Sequence, residues 1–414
     1  MALDPYAPPG GSPPAAVRAH LAVWPLVALA LLFALASASF FHVLPLVWDG
    51  FRDTGAQVLA WGQVGGWLGG GIIALVGARR ALVGAALAAA VVISMTVAGA
   101  AGGASVGVVL FAGALGQASL LVLSANAVAR RRAHLVVIGI SLASTVARFA
   151  LPAVENTFDD APDVAKLSSG LAIAAVVISV VVVRAPVRET AGLPTPWPAA
   201  LRRLAGALSI LIPLWMVSEL SFNPLTDKIR VAMPPSPLVS VSHGDMSEGL
   251  AAAMTRAELP DRLVTLSAQL GSIIVLVAAL GVLAVRADNV RPRSLIAVGA
   301  GLLGAAAVCS GFPGSGSLAW PLALVAIIAA GKSLATPVVL ARLYAGLPSR
   351  PAGVAVVALA ACEFAATTSA RLAPSGPALT MASLAAVVVA GALVHGVPWR
   401  ALFRTMQRTP TRPA

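Results

Sequence analysis

Seven polar side chains fall inside the long apolar segments of this sequence, and their types could support chemistry. The set comprises Arg148, Glu219, Lys332, Glu363, His42, Gln117 and Asn126. An ionisable group at the centre of a hydrocarbon layer costs roughly 2.5–3.5 kcal/mol on insertion scales, so such a group is by default a candidate functional residue. The charged members of the set are therefore the first residues to explain.

Lys332 and Glu363 lie near the middle of consecutive apolar segments. If these segments form adjacent helices, the two side chains could meet. One interpretation is a structural ion pair that offsets two buried charges. A second is a proton or substrate site whose pairing changes between conformations, and a third is a lipid-facing position without function. The sequence leaves these alternatives open.

Glu219 and Arg148 are the other two charged candidates. A carboxyl group in a medium of low dielectric constant can hold a proton at neutral pH. Glu219 fits this description, unless it is a solvated carboxylate near the end of its segment. Arg148 carries a permanent, forked charge that suits an anionic group on a substrate. Its alternative role is an ion pair with Glu155 or with the acidic residues that follow.

The remaining candidates have simple structural alternatives. His42 is interpreted as a packed or interfacial side chain, with a proton relay as the alternative. Gln117 and Asn126 are polar enough to bind a substrate. Hydrogen bonds between neighbouring membrane helices explain these two residues equally well.

Composition identifies the environment of this protein. Hydrophobic residues make up 58% of the 414 residues and charged residues only 11%, whereas an average soluble domain has about 25% charged residues. The chain therefore cannot cover a water-facing surface, and we expect a multi-pass protein of a lipid bilayer. The net charge of +12 comes largely from short loops and the tail, where anionic lipid explains it better than nucleic acid does.

Twelve apolar segments are each long enough, or nearly so, to cross the hydrocarbon core as an α-helix. The predicted spans are 22–47, 58–76, 81–100, 106–127, 135–154, 167–183, 204–222, 263–285, 294–311, 318–340, 352–370 and 377–397. The fold class we expect is therefore all-α and polytopic, with twelve transmembrane helices.

Charge and proline content predict the organisation of these spans. Segment 185–203 contains Pro and Arg and cannot span, so it is predicted to be a cytoplasmic linker between six-helix halves at 21–184 and 204–397. Short loops rich in Lys and Arg stay in the cytoplasm. We therefore expect both the disordered tail 1–20 and the basic tail 398–414 on the cytoplasmic side of a cell inner (plasma) membrane.

One connection is unusually long. Residues 223–262 separate the seventh and eighth spans and are predicted to form an outer loop. Within it, Ser247–Leu259 is predicted to be a short amphipathic helix that Pro260 ends. The loop is interpreted as an element that lies on the outer interface, with a lid over an outer mouth as the alternative.

The turn between the second and third spans resembles the signature of the major facilitator superfamily of secondary transporters, Gly-x-x-x-Asp-Arg-x-Gly-Arg-Arg. The matching residues are Gly71, Arg79 and Arg80, and the departures are Leu75, Val76 and Ala78. Because the family's Asp is replaced, a cytoplasmic charge latch of the family's form is expected to be absent. The wider resemblance, twelve spans in two halves, covers the whole chain after residue 20.

This resemblance implies a secondary transporter that moves a small solute by alternating access around a site near the bilayer midplane. We expect proton coupling through the intramembrane carboxyl groups. We expect a monomer without enzymatic activity, cofactor, metal or nucleic-acid partner, because the sequence has no phosphate-binding loop and no cluster with metal-ligand spacing. The alternative is a non-transporting membrane protein, a receptor or assembly partner, that keeps the fold. The weakened signature favours this alternative, whereas the intramembrane charges oppose it.

Overall fold

A computed structural model of the chain describes residues 15–47, 55–99, 103–127, 133–155, 161–184, 196–233, 246–286, 291–312 and 317–372. Every regular element in these ranges is an α-helix. The helices are α1 (Ala15–Val47), α2 (Gly55–Val76), α3 (Ala78–Val97), α4 (Gly103–Ala127), α5 (Ala133–Glu155), α6 (Ala161–Arg184), α7 (Trp197–Ala232), α8 (Met246–Arg286), α9 (Pro292–Ser310), α10 (Ala319–Tyr344) and α11 (Ser349–Leu372).

The described helices have the length and composition of membrane spans. Nine of them are long and apolar enough to cross a bilayer. The other two, α2 and α6, have shorter apolar stretches in their described parts, Val64–Val76 and Lys166–Val182. The predicted all-α polytopic class is thus confirmed. The predicted twelfth span, 377–397, lies outside the described residues, as do both predicted tails.

The region of the predicted outer loop is more helical than expected. Helix α7 continues beyond the predicted span 204–222 to Ala232. Helix α8 begins at Met246 and runs without interruption to Arg286, so the prediction that Pro260 ends a separate helix is wrong. A proline removes one backbone hydrogen bond, but its fixed φ is compatible with a helix. Long apolar sequence on its C-terminal side carries α8 through Pro260.

The predicted linker is also partly helical, because α7 begins at Trp197. Residues 185–195 of that linker lie outside the described part of the chain. The chain groups into two compact units that divide between Trp197 and Pro198. The first unit contains Met1–Ala147, Leu151–Trp197 and Tyr344–Val357, and the second contains Arg148–Ala150, Pro198–Leu343 and Ala358–Ala414.

Small side chains let the helices of the first unit approach closely. Helices α1, α3, α4 and α6 share a core in which Phe40, Ile93 and Val109 are buried among alanines. Two serine bonds link these helices: the hydroxyls of Ser94 and Ser169 are 2.7 Å apart, and Ser168 donates to the backbone carbonyl of α1 over 3.1 Å. Such bonds are typical of membrane helices, since lipid offers no competing partner.

In the first unit, α2 and α3 are joined by a single non-helical residue. Gly77 has a φ of +85°, a conformation that favours glycine. Its N–H donates to the carbonyl of Ile73, and its carbonyl accepts from Ala81, each over 3.0 Å. The turn expected to extend over Gly77–Arg80 is therefore shorter, and Arg79 and Arg80 lie in the first turn of α3.

The core of the second unit is built from α7, α9 and α10. Its fully buried residues include Val217, Leu303 and Ile328. Helix α9 crosses α10 where two glycines meet: a Cβ atom on Gly299 would lie 2.7 Å from the carbonyl oxygen of Gly331. Only a residue without a side chain permits this approach, so the pair fixes the crossing point of the two helices.

Candidate functional site

Helix α10 holds Lys332 in a fixed position within the second unit. Gly331, which precedes Lys332, is in close contact with α9. Ser333, which follows it, donates a hydrogen bond of 2.8 Å to Ser272 of α8. Further along, Gly271 of α8 packs directly against the backbone of Ala326. Because the neighbours of Lys332 in sequence contact two different helices, its half-buried ammonium group is held on a rigid support.

Three charges interact in this unit. Both the ammonium group of Lys332 and the carboxylate of Glu219 act electrostatically on the carboxylate of Glu363. Lys332 attracts it and Glu219 repels it. The Glu363 side chain is exposed, whereas those of Lys332 and Glu219 are half-buried. We call Glu219, Lys332 and Glu363 the charge triad. Its net charge is −1 when both carboxyl groups are ionised.

Proline residues add polar groups next to two members of the charge triad. Pro224 lies five residues after Glu219, and Pro337 lies five residues after Lys332. A proline has no N–H to donate to the carbonyl four residues earlier. The carbonyls of Leu220 and Ser333 therefore lack their usual helical donor, and each directly follows a triad residue. Free acceptors of this kind are suited to binding protons, cations or polar groups.

Two buried hydroxyl groups lie on the same helices. The Oγ of Ser218, which is fully buried, and the Oγ1 of Thr336 have no hydrogen-bond partner. Buried hydroxyl groups are usually hydrogen-bonded. Ser218 immediately precedes Glu219, and Thr336 lies about one helical turn after Lys332. Unused hydrogen-bonding capacity is thus concentrated near two of the three charges.

Arg148 belongs to the second unit although most of α5 belongs to the first. Its side chain is exposed. No acidic side chain forms an ion pair with Arg148 among the residues that the structure describes. The predicted partner Glu155 is the last residue of α5, and its side chain lies outside the described set. Arg148 therefore has a guanidinium group available to an anion.

The uncharged candidates are placed as follows. The Gln117 side chain, on α4, is exposed. The amide of Asn126 is used in structural bonds: its nitrogen donates to the carbonyl of Val122 over 2.8 Å, and its oxygen accepts from the N–H of Gly346 over 2.7 Å. We therefore do not include Asn126 in the site. His42 lies in α1, and its side chain is outside the described set.

The signature residues near the turn have distinct environments in the first unit. Gly71 faces open space, whereas the preceding Gly70 is in close contact with Gly353 and Val357 of α11. A Cβ on Gly70 would lie 2.7 Å from the carbonyl oxygen of Gly353. The glycine that the packing requires is therefore Gly70. Arg80 is exposed and Arg79 is half-buried.

Sequence reasoning missed several residues that organise the second unit. Lys228 donates to the carbonyls of Ser310 and Phe312, over 2.6 and 3.1 Å, and so caps the end of α9. Arg230 donates to Asp261 over 3.0 Å, which links the ends of α7 and α8. These residues were assigned to a loop, and only helical periodicity continued past Pro224 could have indicated their role. Among the described residues, no group of three or more His, Cys, Asp or Glu could hold a metal ion.

These features define an all-α, multi-pass membrane protein that carries ionisable groups within its apolar helices. Its fold is that of the major facilitator superfamily of transporters, as the sequence resemblance predicts. No protein-family model matches the sequence, and no curated protein sequence matches it. The fold is therefore evident from the structure alone.

Three solved structures illustrate the similarity. The superfamily transporter FucP, in its outward conformation, has a TM-score of 0.60 and 12% identity, over 90% of this chain and 98% of that chain. A bacterial homologue of the iron transporter ferroportin, outward-facing, has a TM-score of 0.59 and 14% identity, over 91% and 98%. The proton:xylose symporter XylE, bound to 6-bromo-6-deoxy-D-glucose, has a TM-score of 0.54 and 15% identity, over 92% and 96%. Identities this low establish a shared fold.

Proposed function

We propose that this protein is a proton-coupled secondary transporter that moves a small solute by alternating access. The observation that carries the proposal is the charge triad: two carboxyl groups and one ammonium group interact within membrane-length helices of a single unit. Ionisable groups at such positions are costly, and they typically mark ion or proton pathways. The fold, which is shared with solved transporters, supports the same conclusion.

In this mechanism Glu363 carries the coupling proton. Its carboxylate takes up one proton when it is open to one side of the membrane and releases it on the other side. Lys332 favours the ionised form of Glu363, and Glu219 opposes it, so the two neighbours together set the affinity for the proton. The exposure of Glu363 gives the proton a route to the carboxyl group, whereas the half-buried partners act from a fixed position.

The test is a pH-gradient assay in proteoliposomes that contain the wild type or Glu363→Gln. Solutes are offered by class: sugars, amino acids, organic anions and hydrophobic cations. We expect proton movement with one class in the wild type and its loss in Glu363→Gln. Asp227→Asn serves as the control, because Asp227 is an exposed acid in a helical pair with Arg230. Undiminished proton movement in Glu363→Gln would contradict the role assigned to this residue.

The interaction between Lys332 and Glu363 has its own test, which is a double-mutant cycle. Lys332→Gln leaves two carboxylates that repel each other, and Glu363→Gln leaves the ammonium group with one partner fewer. We therefore expect each single change to reduce folded yield or transport more than the double change does. Equal or additive losses in the double variant would show that the two residues act independently.

The membrane orientation is part of the proposal. We place both termini and the linker 185–203 in the cytoplasm of a cell with a bacterial-type inner membrane. Cysteines introduced at Gly192 and Asp160 should be labelled from opposite sides of the membrane. The background variant must lack Cys309 and Cys362, the half-buried native cysteines. Labelling of both positions from the same side would refute the topology.

A further inference from the structure

A constant spacing relates the helices of the two halves. Helices α9, α10 and α11 begin within one residue of 215 positions after α3, α4 and α5. At a spacing of 215 residues Gly116 corresponds to Gly331, and the sequence Arg148-Phe-Ala corresponds to Glu363-Phe-Ala. The halves are therefore repeats in register over these helices. The register makes Gln117 the counterpart of Lys332, and Arg148 the counterpart of Glu363.

The repeat shows that the two halves differ in charge at equivalent positions. The first half has a neutral amide and a guanidinium group, Gln117 and Arg148, where the second half has an ammonium group and a carboxyl group. Arg148 and the charge triad all belong to the second compact unit. Together they comprise two cations and two anions, so the set is neutral when both carboxyl groups are ionised.

The four charges differ in what satisfies them. Lys332, Glu219 and Glu363 interact with one another. Arg148 is exposed, and in the described part of the chain no carboxylate pairs with it. A guanidinium group offers parallel donors in a fork that matches the two oxygens of a carboxylate. Arg148 is therefore complementary to a carboxylate that comes from outside the chain.

Charge balance restricts what can bind together with the proton. Net charge within apolar helices is costly, so a carrier favours neutral states both empty and loaded. One proton on Glu363 gives the set of four a net charge of +1. A monoanion on Arg148 restores neutrality, whereas an organic cation raises the charge to +2 and a zwitterion leaves it at +1. Proton and monoanion binding therefore reinforce each other.

We infer that the transported solute is an organic monoanion with a carboxylate group, which Arg148 binds while Glu363 carries one proton in the same direction. This inference rests on the proposed function and names the substrate class of its site. One proton and one anion enter together and leave together, so no net charge moves. The charged groups that act on Glu363 are Lys332 of α10 and Glu219 of α7.

The test compares solutes that differ only in charge, in proteoliposomes with a fluorescent pH indicator inside. The probes are mandelate and its amide, which match in size, and betaine and choline, which match apart from the carboxylate; further monocarboxylates extend the first class. Empty liposomes correct for passive entry. We expect proton uptake with one or more monocarboxylates and none with mandelamide or choline. A potential imposed with potassium and valinomycin should leave the rate unchanged.

Variants identify the group that binds the anion. Arg148→Gln should raise the KM for the carboxylate roughly ten- to a hundredfold, the amount expected for a lost charge-assisted hydrogen bond. Arg148→Lys should recover part of this loss, because it keeps the charge without the fork. Arg202→Gln, an exposed arginine near the start of α7, is the control.

The failures can be distinguished. Proton movement driven by choline, betaine or mandelamide would overturn the inference and leave the proposed function intact. Carboxylate transport that a membrane potential accelerates severalfold, or that Arg148→Gln leaves unchanged, would also overturn it. Silence with every class, from protein that elutes as a folded species, would overturn the proposed function, and the inference with it.

Discussion

The crossing of α9 and α10 provides a sharp test of how packing supports the candidate site. Gly299 and Gly301 lie two residues apart on α9. A Cβ on Gly299 would lie 2.7 Å from the carbonyl oxygen of Gly331 and 2.9 Å from the backbone nitrogen of Ala335, whereas a Cβ on Gly301 would meet nothing within 4 Å. Alanine should therefore be destabilising at the first position and tolerated at the second.

The magnitude follows from the distances. Ordinary van der Waals contact begins near 3.4 Å, so Gly299→Ala would separate the helices by about 0.7 Å, and a gap of that size forfeits roughly a quarter to a half of the dispersion attraction across a contact. Overpacked cores lose about 1–3 kcal/mol. At about 2 °C per kcal/mol for a chain of this size, the melting temperature should fall by roughly 2–6 °C.

The assay is thermal unfolding of purified protein in detergent, followed by the fraction that still elutes as a folded species. Gly301→Ala should match the wild type or exceed it slightly, because alanine favours the helix more than glycine does. Gly299→Ala should also lower transport, since it displaces the helix that holds Lys332. Equal melting temperatures for the two variants would refute the crossing geometry.

Other predictions concern single contacts, each measured by the same melting assay. Gly70→Ala should destabilise by about 1–3 kcal/mol, whereas Gly71→Ala, its neighbour in open space, should not; equal effects would contradict the α2–α11 contact. Ser333→Ala should cost about 0.6 kcal/mol, a typical value for a hydrogen bond between membrane helices, and nothing further when its partner serine in α8 is also changed. Lys228→Met should lower stability by about 1.5–3 kcal/mol, the range for a hydrogen bond to a charged group, and no loss would show that Lys228 does not cap α9.

The existence and order of the helices could be predicted because apolar length is a strong signal in a membrane protein. Every described helix corresponds to a predicted span. The boundaries were less accurate where prolines occur, since Pro224 and Pro260 were taken as ends of helices and both lie inside them. Backbone groups freed by proline can find partners in neighbouring helices, and this tertiary compensation is invisible in the sequence.

The ionisable candidates could be identified from sequence, because charge within an apolar segment is rare. Which of them interact could not be predicted in full. The sequence suggested Lys332 with Glu363, but the influence of Glu219 depends on how α7 packs in the second unit. For Asn126, the sequence left a structural bond and a substrate bond equally open. Its bond to the N–H of Gly346 joins residues 220 positions apart, and only the fold brings them together.

The most direct test of the central claim is the number of protons that move with each solute molecule. It is obtained in proteoliposomes from the pH gradient that exactly opposes a known solute gradient and brings net flux to zero. The account predicts a ratio of one for the wild type. In Glu363→Gln it predicts that pH ceases to affect the balance, while exchange of labelled for unlabelled solute continues. A wild-type ratio of zero, or an unchanged ratio in Glu363→Gln, would contradict the account.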